Sequence, residues 1–240
     1  MKELVKNNNK IVRFRGGVSL RDTTYTVRSQ FIKFLLGSEF LNLSTILDFG
    51  SGNSPYKRYF SFDKYDTADV GYNIESKPDY VIDPQMPHIP VSDGSYDLVL
   101  ALDVLEHVTK LQLTLKEIIR VCKPGGYVVV KVPFLYREHE APHDFRRFTS
   151  YGIKMCLENS GLNVVKVQGF GNAWSVAYSL IQERFNDNAS PNFYWRVINK
   201  LLSTILLPIL NLTLFKQAYT KGIYGSILAV ASKPVDAIVC

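Results

Sequence analysis

The sequence predicts an α/β fold built on a parallel sheet, with its ligand at the carboxyl ends of the strands. Three observations predict it. Strand-length apolar runs alternate with segments of helical period from residue 45 to residue 167. The first run, Ile46-Leu47-Asp48-Phe49, opens into Gly50-Ser51-Gly52-Asn53-Ser54-Pro55, a glycine-punctuated turn at a strand end. A carboxylate, Asp69, then stands nineteen residues beyond Gly50, where the next strand should end beside the first. A chain of 240 residues with 46% hydrophobic content can form one large domain with its own core.

Taken in order, Thr26, Phe31, Ile32, Phe34, Leu35 and Leu36 before Gly37 predict a helix, read either as a lid over the ligand or as packing on the sheet edge. Gly50 and Gly52 let the backbone turn sharply and approach a ligand closer than a Cβ permits, and Pro55 is placed to open the following helix. Tyr65 to Val70 is the second strand. A carboxylate at its end can hold a ribose diol, each charge-assisted hydrogen bond contributing about 1.5 to 3 kcal/mol. Tyr80-Val81-Ile82 is a short strand ending on Asp83. Tyr96 to Leu102 is a buried strand running into Asp103-Val104-Leu105-Glu106-His107-Val108. An amphipathic helix follows, with Leu111, Leu115, Ile118, Ile119 and Cys122 on one face. Glu106 is read as complementing the dipole of a first helical turn, and His107 as a cap or packing residue. Lys123-Pro124-Gly125-Gly126 is read as a turn into the strand Tyr127 to Pro133, and the segments from Gly161 and Gly225 as a closing strand pair.

A glycine loop of this kind serves dinucleotides and S-adenosylmethionine alike, and the remaining positions separate the two. The dinucleotide fingerprint needs a third glycine for close packing under a pyrophosphate, and here that position is Pro55. An NAD-dependent oxidoreductase is therefore disfavoured. Asp48 and Asp83 add polar partners of the kind a ligand without phosphate requires.

The ordered series Asp48-Phe49-Gly50-Ser51-Gly52, Asp69, Ile89-Pro90-Val91, Phe-like Tyr96-Asp97 with Val104-Leu105-Glu106-His107, and Lys123-Pro124-Gly125-Gly126 resembles the class I S-adenosylmethionine-dependent methyltransferases, in particular the bacterial type 11-like group. The likeness is detailed over residues 44–170. It implies a Rossmann-like seven-stranded methyltransferase sheet with flanking helices, the last strand antiparallel and a helical insertion before it. It implies S-adenosyl-L-methionine as cofactor, with Gly50, Ser51 and Gly52 offering backbone to its methionine end, Asp69 on the ribose, and Asp48 among the cofactor-binding residues. Val70 would flank the adenine, Asp83 and Pro84 would meet its amino edge, and Asp103 and Val104 would line the pocket of the sulfonium. The chain departs from the group in Ser54-Pro55, where many members carry a further glycine, and in Ile89-Pro90-Val91 in place of Leu-Pro-Phe.

Residues 134–149 form a loop dense in ionisable groups. His139, Glu140, Pro142, Asp144, Phe145, Arg147 and Thr149 resemble members of the group found with sugar and cell-surface polysaccharide pathways. Methyl transfer to a hydroxyl requires removal of a proton, a task suited to histidine near neutral pH. His139 is the first candidate base and His143 the second, with Asp144 orienting an imidazole or a sugar hydroxyl and Arg147 holding an anion. The bland reading is a bracing Asp144–Arg147 pair and a Thr149 cap on a helix from Ser150 to Asn159. A carboxylate acceptor would need no base.

The chain is expected to be one methyltransferase domain: an arm and lid helix over 1–43, a cofactor-binding core over 44–170, a helical insertion over 171–222, and a closing strand and tail over 223–240. Within the insertion, 197–215 is apolar at helical spacing but broken by Pro208 and polar residues, which disfavours a membrane span and allows a lid, a membrane-facing surface or a homodimer contact. The net charge of +6 comes without a nucleic-acid motif or an aromatic-interleaved basic stripe, so no nucleic-acid partner is expected and a small-molecule or saccharide methyl acceptor is. Cys122, Cys156 and Cys240 lack metal-ligand spacing, and no metal is expected. Residues 1–16 lack a signal-peptide pattern, which favours a cytoplasmic protein, peripheral to the membrane if 197–215 meets one. A relative that binds the cofactor without turnover is the alternative reading.

Overall fold

The computed structural model describes residues 24–38, 43–71, 77–186 and 222–235, with residues 194, 197, 198, 201, 205, 206 and 209 between them. The strands are β1 (Thr45–Phe49), β2 (Lys64–Asp69), β3 (Tyr80–Val81), β4 (Tyr96–Leu102), β5 (Cys122–Pro133), β6 (Asn163–Phe170) and β7 (Ser226–Ser232). The helices are α1 (Tyr25–Leu36), α2 (Leu111–Val121), α3 (Ser150–Glu158) and α4 (Ala173–Asn186). The strands form one seven-stranded sheet in the order β3-β2-β1-β4-β5-β7-β6. β1, β2, β3, β4 and β5 run parallel, and β7 is antiparallel to both its neighbours. This is the seven-stranded sheet with an antiparallel last strand that the resemblance implies. The strand order reverses at β1, whose neighbours are β2 and β4, so the glycine loop sits where ligands bind in open α/β sheets.

The chain divides into two compact units. The larger comprises residues 35–134, 138–168 and 227–240. Its core consists of the fully buried runs expected of central parallel strands: Ile46 and Leu47 on β1, Leu98 to Ala101 on β4, and Val128 to Val130 on β5. Leu115, Ile118 and Val121 of α2 are completely buried as well. The buried face of α2 also carries Thr114 and Glu117, while Leu111 and Ile119 are half-buried and Cys122 belongs to β5. Glu117 is tolerated there because it accepts from the Ile89 amide at 2.7 Å and from Arg120 Nε at 2.8 Å. The Lys123-Pro124-Gly125-Gly126 segment is a bulge within β5, not a turn before it: Tyr96 pairs with Cys122, and Leu98 already with Tyr127. The Thr149 hydroxyl caps α3, accepting from the Gly152 amide at 3.0 Å.

Pro55 opens no α-helix among the described residues. The eight residues 56–63 hold a single 3₁₀ turn, Lys57–Tyr59, before β2 begins. Tyr56 and Phe60 are both buried, and so short a crossover leaves no room for the three turns a stable helix needs.

The smaller unit comprises residues 1–34, 135–137 and 169–226. Phe31 meets the Phe170 ring edge-on at 5.9 Å, and Gln30 Oε1 accepts from the Gly171 amide at 2.8 Å. The start of α4 is closed reciprocally, with the Ser175 amide donating to Asn172 Oδ1 and the Asn172 amide to Ser175 Oγ, both at 2.9 Å. Most of the apolar stretch 197–215 lies outside the described residues. At its described positions, Val197, Ile198, Leu201, Ile205, Leu206 and Ile209 are exposed.

Candidate active site

The glycine loop leaves β1 through Gly50, whose φ of +70° is the left-handed conformation that glycine adopts without strain. The loop is anchored to the neighbouring strand: the Gly50 amide donates to the Ala68 carbonyl at 2.7 Å, and the Gly52 amide to Asp69 Oδ2 at 2.8 Å. Asp69 Oδ1 accepts from the Gly71 amide at 3.3 Å. A Cβ on Gly50 would lie 2.3 Å from a Val104 methyl, whereas a Cβ on Gly52 would meet nothing within 4 Å. Val104 therefore packs under the loop as a buried floor. Gly52 borders open space beside the Asp69 carboxylate.

Asp48, buried beneath the loop, accepts the Tyr65 hydroxyl at 2.8 Å. Burial pushes its carboxyl up to about 7, against the opposing hydrogen bonds from Tyr65 and Ser54. Ser51 is buried and Val70 half-buried. Asp83 and Pro84 are exposed one strand further out, beyond β3, with Asp83 Oδ1 accepting from the Gln85 amide at 2.8 Å. Asp103 follows β4 with a left-handed φ of +58°, and its carboxylate pairs with Lys131 of β5. Burial alone would lower the Lys131 ammonium, but Asp103 holds it above its ordinary value.

The turn 105–107 and the loop after β5 are stitched together, because β4 and β5 are parallel neighbours that release their chains at the same sheet edge. The Phe145 amide donates to the Glu106 carbonyl at 2.9 Å, and Arg146 donates to the carbonyls of Leu105, at 3.2 Å, and Val108. His107 Nδ1 donates to the His143 carbonyl at 2.7 Å, which fixes the proton on Nδ1 because a carbonyl can only accept. His139 Nδ1 lies 2.9 Å from Asp144 Oδ2, which also accepts the His139 amide at 2.8 Å. Arg147 grips Asp144 with both terminal nitrogens, the longer contact being 2.7 Å. The Arg147 hydrogen bonds hold the Asp144 carboxyl well below the usual carboxylate range, over the opposing effect of burial.

The structure thus brings His139, Asp144 and Arg147 together. The His143 ring stands apart, exposed and edge-on to Phe145 at 6.2 Å, and the residue enters the cluster through its carbonyl. Glu106, His107 and Lys131 join the site without having been assigned to it from sequence. Glu106 lies in a turn five residues before α2 begins and complements no helix dipole. The available signal was a lysine inside the apolar run Val128-Val129-Val130-Lys131-Val132, and a Glu-His pair directly after a buried strand.

A methyltransferase-domain family model matches residues 21–167. The chain belongs to that family of class I methyltransferases, whose cofactor is S-adenosyl-L-methionine. It is 32% identical over 124 residues to an uncharacterized protein of Methanocaldococcus jannaschii, a match covering 49% of this chain and 52% of that one, so it spans about half that relative's length. Among solved structures it is similar to a chain of the complex between the Haloferax volcanii Trm112 methyltransferase activator and a methyltransferase, with TM-score 0.55, 17% identity, and coverage of 90% of this chain and 92% of that one. It is also similar to the [4+2]-cyclase SpnF, with TM-score 0.54, 15% identity, and coverage of 90% and 85%. At such identities the structural likeness concerns the fold alone.

Proposed function

We propose that this methyltransferase acts on a hydroxyl oxygen of a saccharide or small metabolite, in a setting such as cell-surface polysaccharide synthesis. The observation that carries this reading is the His139–Asp144 pair at 2.9 Å, buttressed by Arg147, in the same compact unit as the glycine loop. The residues of that loop fit the cofactor: Gly52 offers backbone beside open space, and each Asp69 carboxylate oxygen keeps a further lone pair for a ribose hydroxyl.

When bound, the cofactor supplies a methyl group on a sulfonium that departs with the carbon–sulfur electron pair. Gly50, Ser51 and Gly52 would hold its methionine end, and Asp69 the ribose. His139 takes the acceptor's proton on Nε2 as the new carbon–oxygen bond forms. Asp144 fixes the imidazole tautomer and stabilises the imidazolium, and Arg147 keeps Asp144 ionised and in place. The same reading carries the expectations of cytoplasmic placement and of a membrane-surface or homodimer contact through 197–215. Among the described residues no helix is long and apolar enough to cross a membrane.

Calorimetric titration with S-adenosylmethionine, with NAD as control, tests the cofactor; methyl transfer to a panel of hydroxylated acceptors tests the reaction. Asp69→Ala should weaken cofactor binding. His139→Ala should keep that binding and lose about 10² to 10⁴ in turnover. Preference for NAD, cofactor binding without turnover on any acceptor, or turnover unchanged in His139→Ala would overturn the proposal.

A further inference from the structure

Among the described residues, the buried side-chain oxygens and nitrogens without a hydrogen-bond partner are the two carboxylate oxygens of Glu106, a residue with no exposed surface. An ionised carboxylate so placed costs several kcal/mol. Protonation removes the charge, but the nearest acceptor for a carboxyl proton, His107 Nε2, lies 3.6 Å away, beyond hydrogen-bond reach.

The groups facing these oxygens are two imidazoles. His107 Nε2 lies 3.6 Å from Glu106 Oε1, and one ligand atom from each of Glu106, His107 and His139 falls within 4.8 Å of the others. Each imidazole is held through Nδ1, one by the His143 carbonyl and the other by Asp144, and His107 turns its Nε2 toward Glu106. That is the outer-shell arrangement by which carbonyls and carboxylates orient metal-bound histidines. Lys131 and Arg147 form their ion pairs with Asp103 and Asp144 and reach Glu106 through charge alone, so the Glu106 oxygens are left without a hydrogen bond.

We propose that Glu106, His107 and His139 form a site for one first-row transition-metal dication. Two imidazole nitrogens and one carboxylate oxygen suit Zn²⁺, Mn²⁺, Fe²⁺ or Co²⁺ better than Mg²⁺ or Ca²⁺, which prefer all-oxygen shells. Bond lengths of about 2.0 to 2.2 Å put tetrahedral ligand atoms about 3.3 Å apart, so the three groups close on the ion by rotamer adjustments of roughly 1 Å. Three protein ligands leave positions open for an acceptor oxygen. This use of the site rests on the methyl-transfer reading: a hydroxyl on the ion releases its proton to water near neutral pH, and His139 then serves as ligand instead of base. The binding of the ion does not rest on that reading.

The test uses the full chain, stripped with a chelator and titrated with Zn²⁺, Co²⁺, Mg²⁺ and Ca²⁺, with metal content, the Co²⁺ visible spectrum and cofactor binding read on the same preparations. The expected result is one equivalent of Zn²⁺ or Co²⁺, at least 10-fold tighter than Mg²⁺. Binding should be lost in Glu106→Gln and His107→Asn, and weakened about 10- to 100-fold in Asp144→Asn. Zn²⁺ should perturb two of the four histidines in the wild-type imidazole NMR spectrum, a readout that needs no variant to fold. No binding, binding indifferent to Glu106→Gln, or a response from none or all of the histidines overturns the site. If S-adenosylmethionine binds and is turned over in excess chelator, the catalytic use of the ion falls and the imidazole-base reading stands. Metal bound without cofactor binding leaves the site and removes the methyl-transfer reading.

Discussion

Gly50 and Gly52 look alike in sequence and should respond differently to alanine. At Gly50 the new methyl meets two obstacles: a left-handed φ of +70°, which costs an L-residue about 1 to 2 kcal/mol, and Val104 methyl carbons at 2.3 and 2.7 Å. Relieving that overlap means moving a buried side chain in a packed unit, at about 1 to 3 kcal/mol. The sum is about 2 to 5 kcal/mol. At Gly52 φ is +50° and nothing lies within 4 Å, so only the backbone cost of about 1 to 2 kcal/mol remains. Thermal denaturation of both variants separates the two cases, since at 240 residues each 1 kcal/mol moves the midpoint temperature by about 2 to 4 °C. Gly52→Ala should stay folded and still lose affinity for S-adenosylmethionine, because its methyl enters the space left for the ligand. Equal destabilisation of the two variants, or full cofactor affinity in Gly52→Ala, would refute the reasoning.

Asp48 and Arg120 give two further expectations. Folded Asp48 holds its proton up to about pH 7 while the unfolded chain releases it near 3.8, so this group's contribution to stability is greatest below 3.8 and is lost as the pH rises through 7. Asp48→Asn keeps an acceptor for Tyr65 and should be neutral at pH 4 but stabilising by up to about 4 kcal/mol at pH 8; an equal effect at both values in urea melts would contradict this. Arg120 donates to Glu117, Asp93 and the carbonyls of Val91 and Ile89, and offsets the burial of Glu117, whose folded carboxyl it keeps below the ordinary range. Glu117 therefore stabilises the fold above its unfolded pKa of 4.5 and loses that contribution as the pH falls. Arg120→Met should cost about 3 kcal/mol at pH 7 and less at pH 4, and a loss independent of pH would show that Glu117 needs no partner.

The legible parts of this chain were those written in local period. Strand runs, the loop of Gly50 and Gly52 and the cap at Thr149 each depend on residues within a few positions of one another, and Asp69 on its offset of one strand-to-strand crossover from Gly50. The helix expected after Pro55 failed because a turn signal states where a helix can start, not how much chain is left before the next strand must begin. The Lys123-Pro124-Gly125-Gly126 turn failed similarly, since a parallel neighbour can absorb extra residues as a bulge.

The cluster around Glu106 was hidden for a different reason, which also suggests how such clusters can be found. Glu106 and His139 are far apart along the chain, and each of their segments has an ordinary local reading. What joins them is that β4 and β5 are adjacent and parallel, so the two loops must leave the sheet at the same edge. Once the strand order is known, chemistry-bearing residues in the first few positions after neighbouring parallel strands are expected to meet. The cross-links here satisfy the backbone rather than the reacting groups: the Glu106 and His143 carbonyls are used, as are those of Leu105 and Val108. The loops are thus cross-linked through their main chains while the Glu106 carboxylate keeps no hydrogen-bond partner. A fold that meets its hydrogen-bonding needs all around one carboxylate and leaves that carboxylate unmatched has placed it for something other than stability.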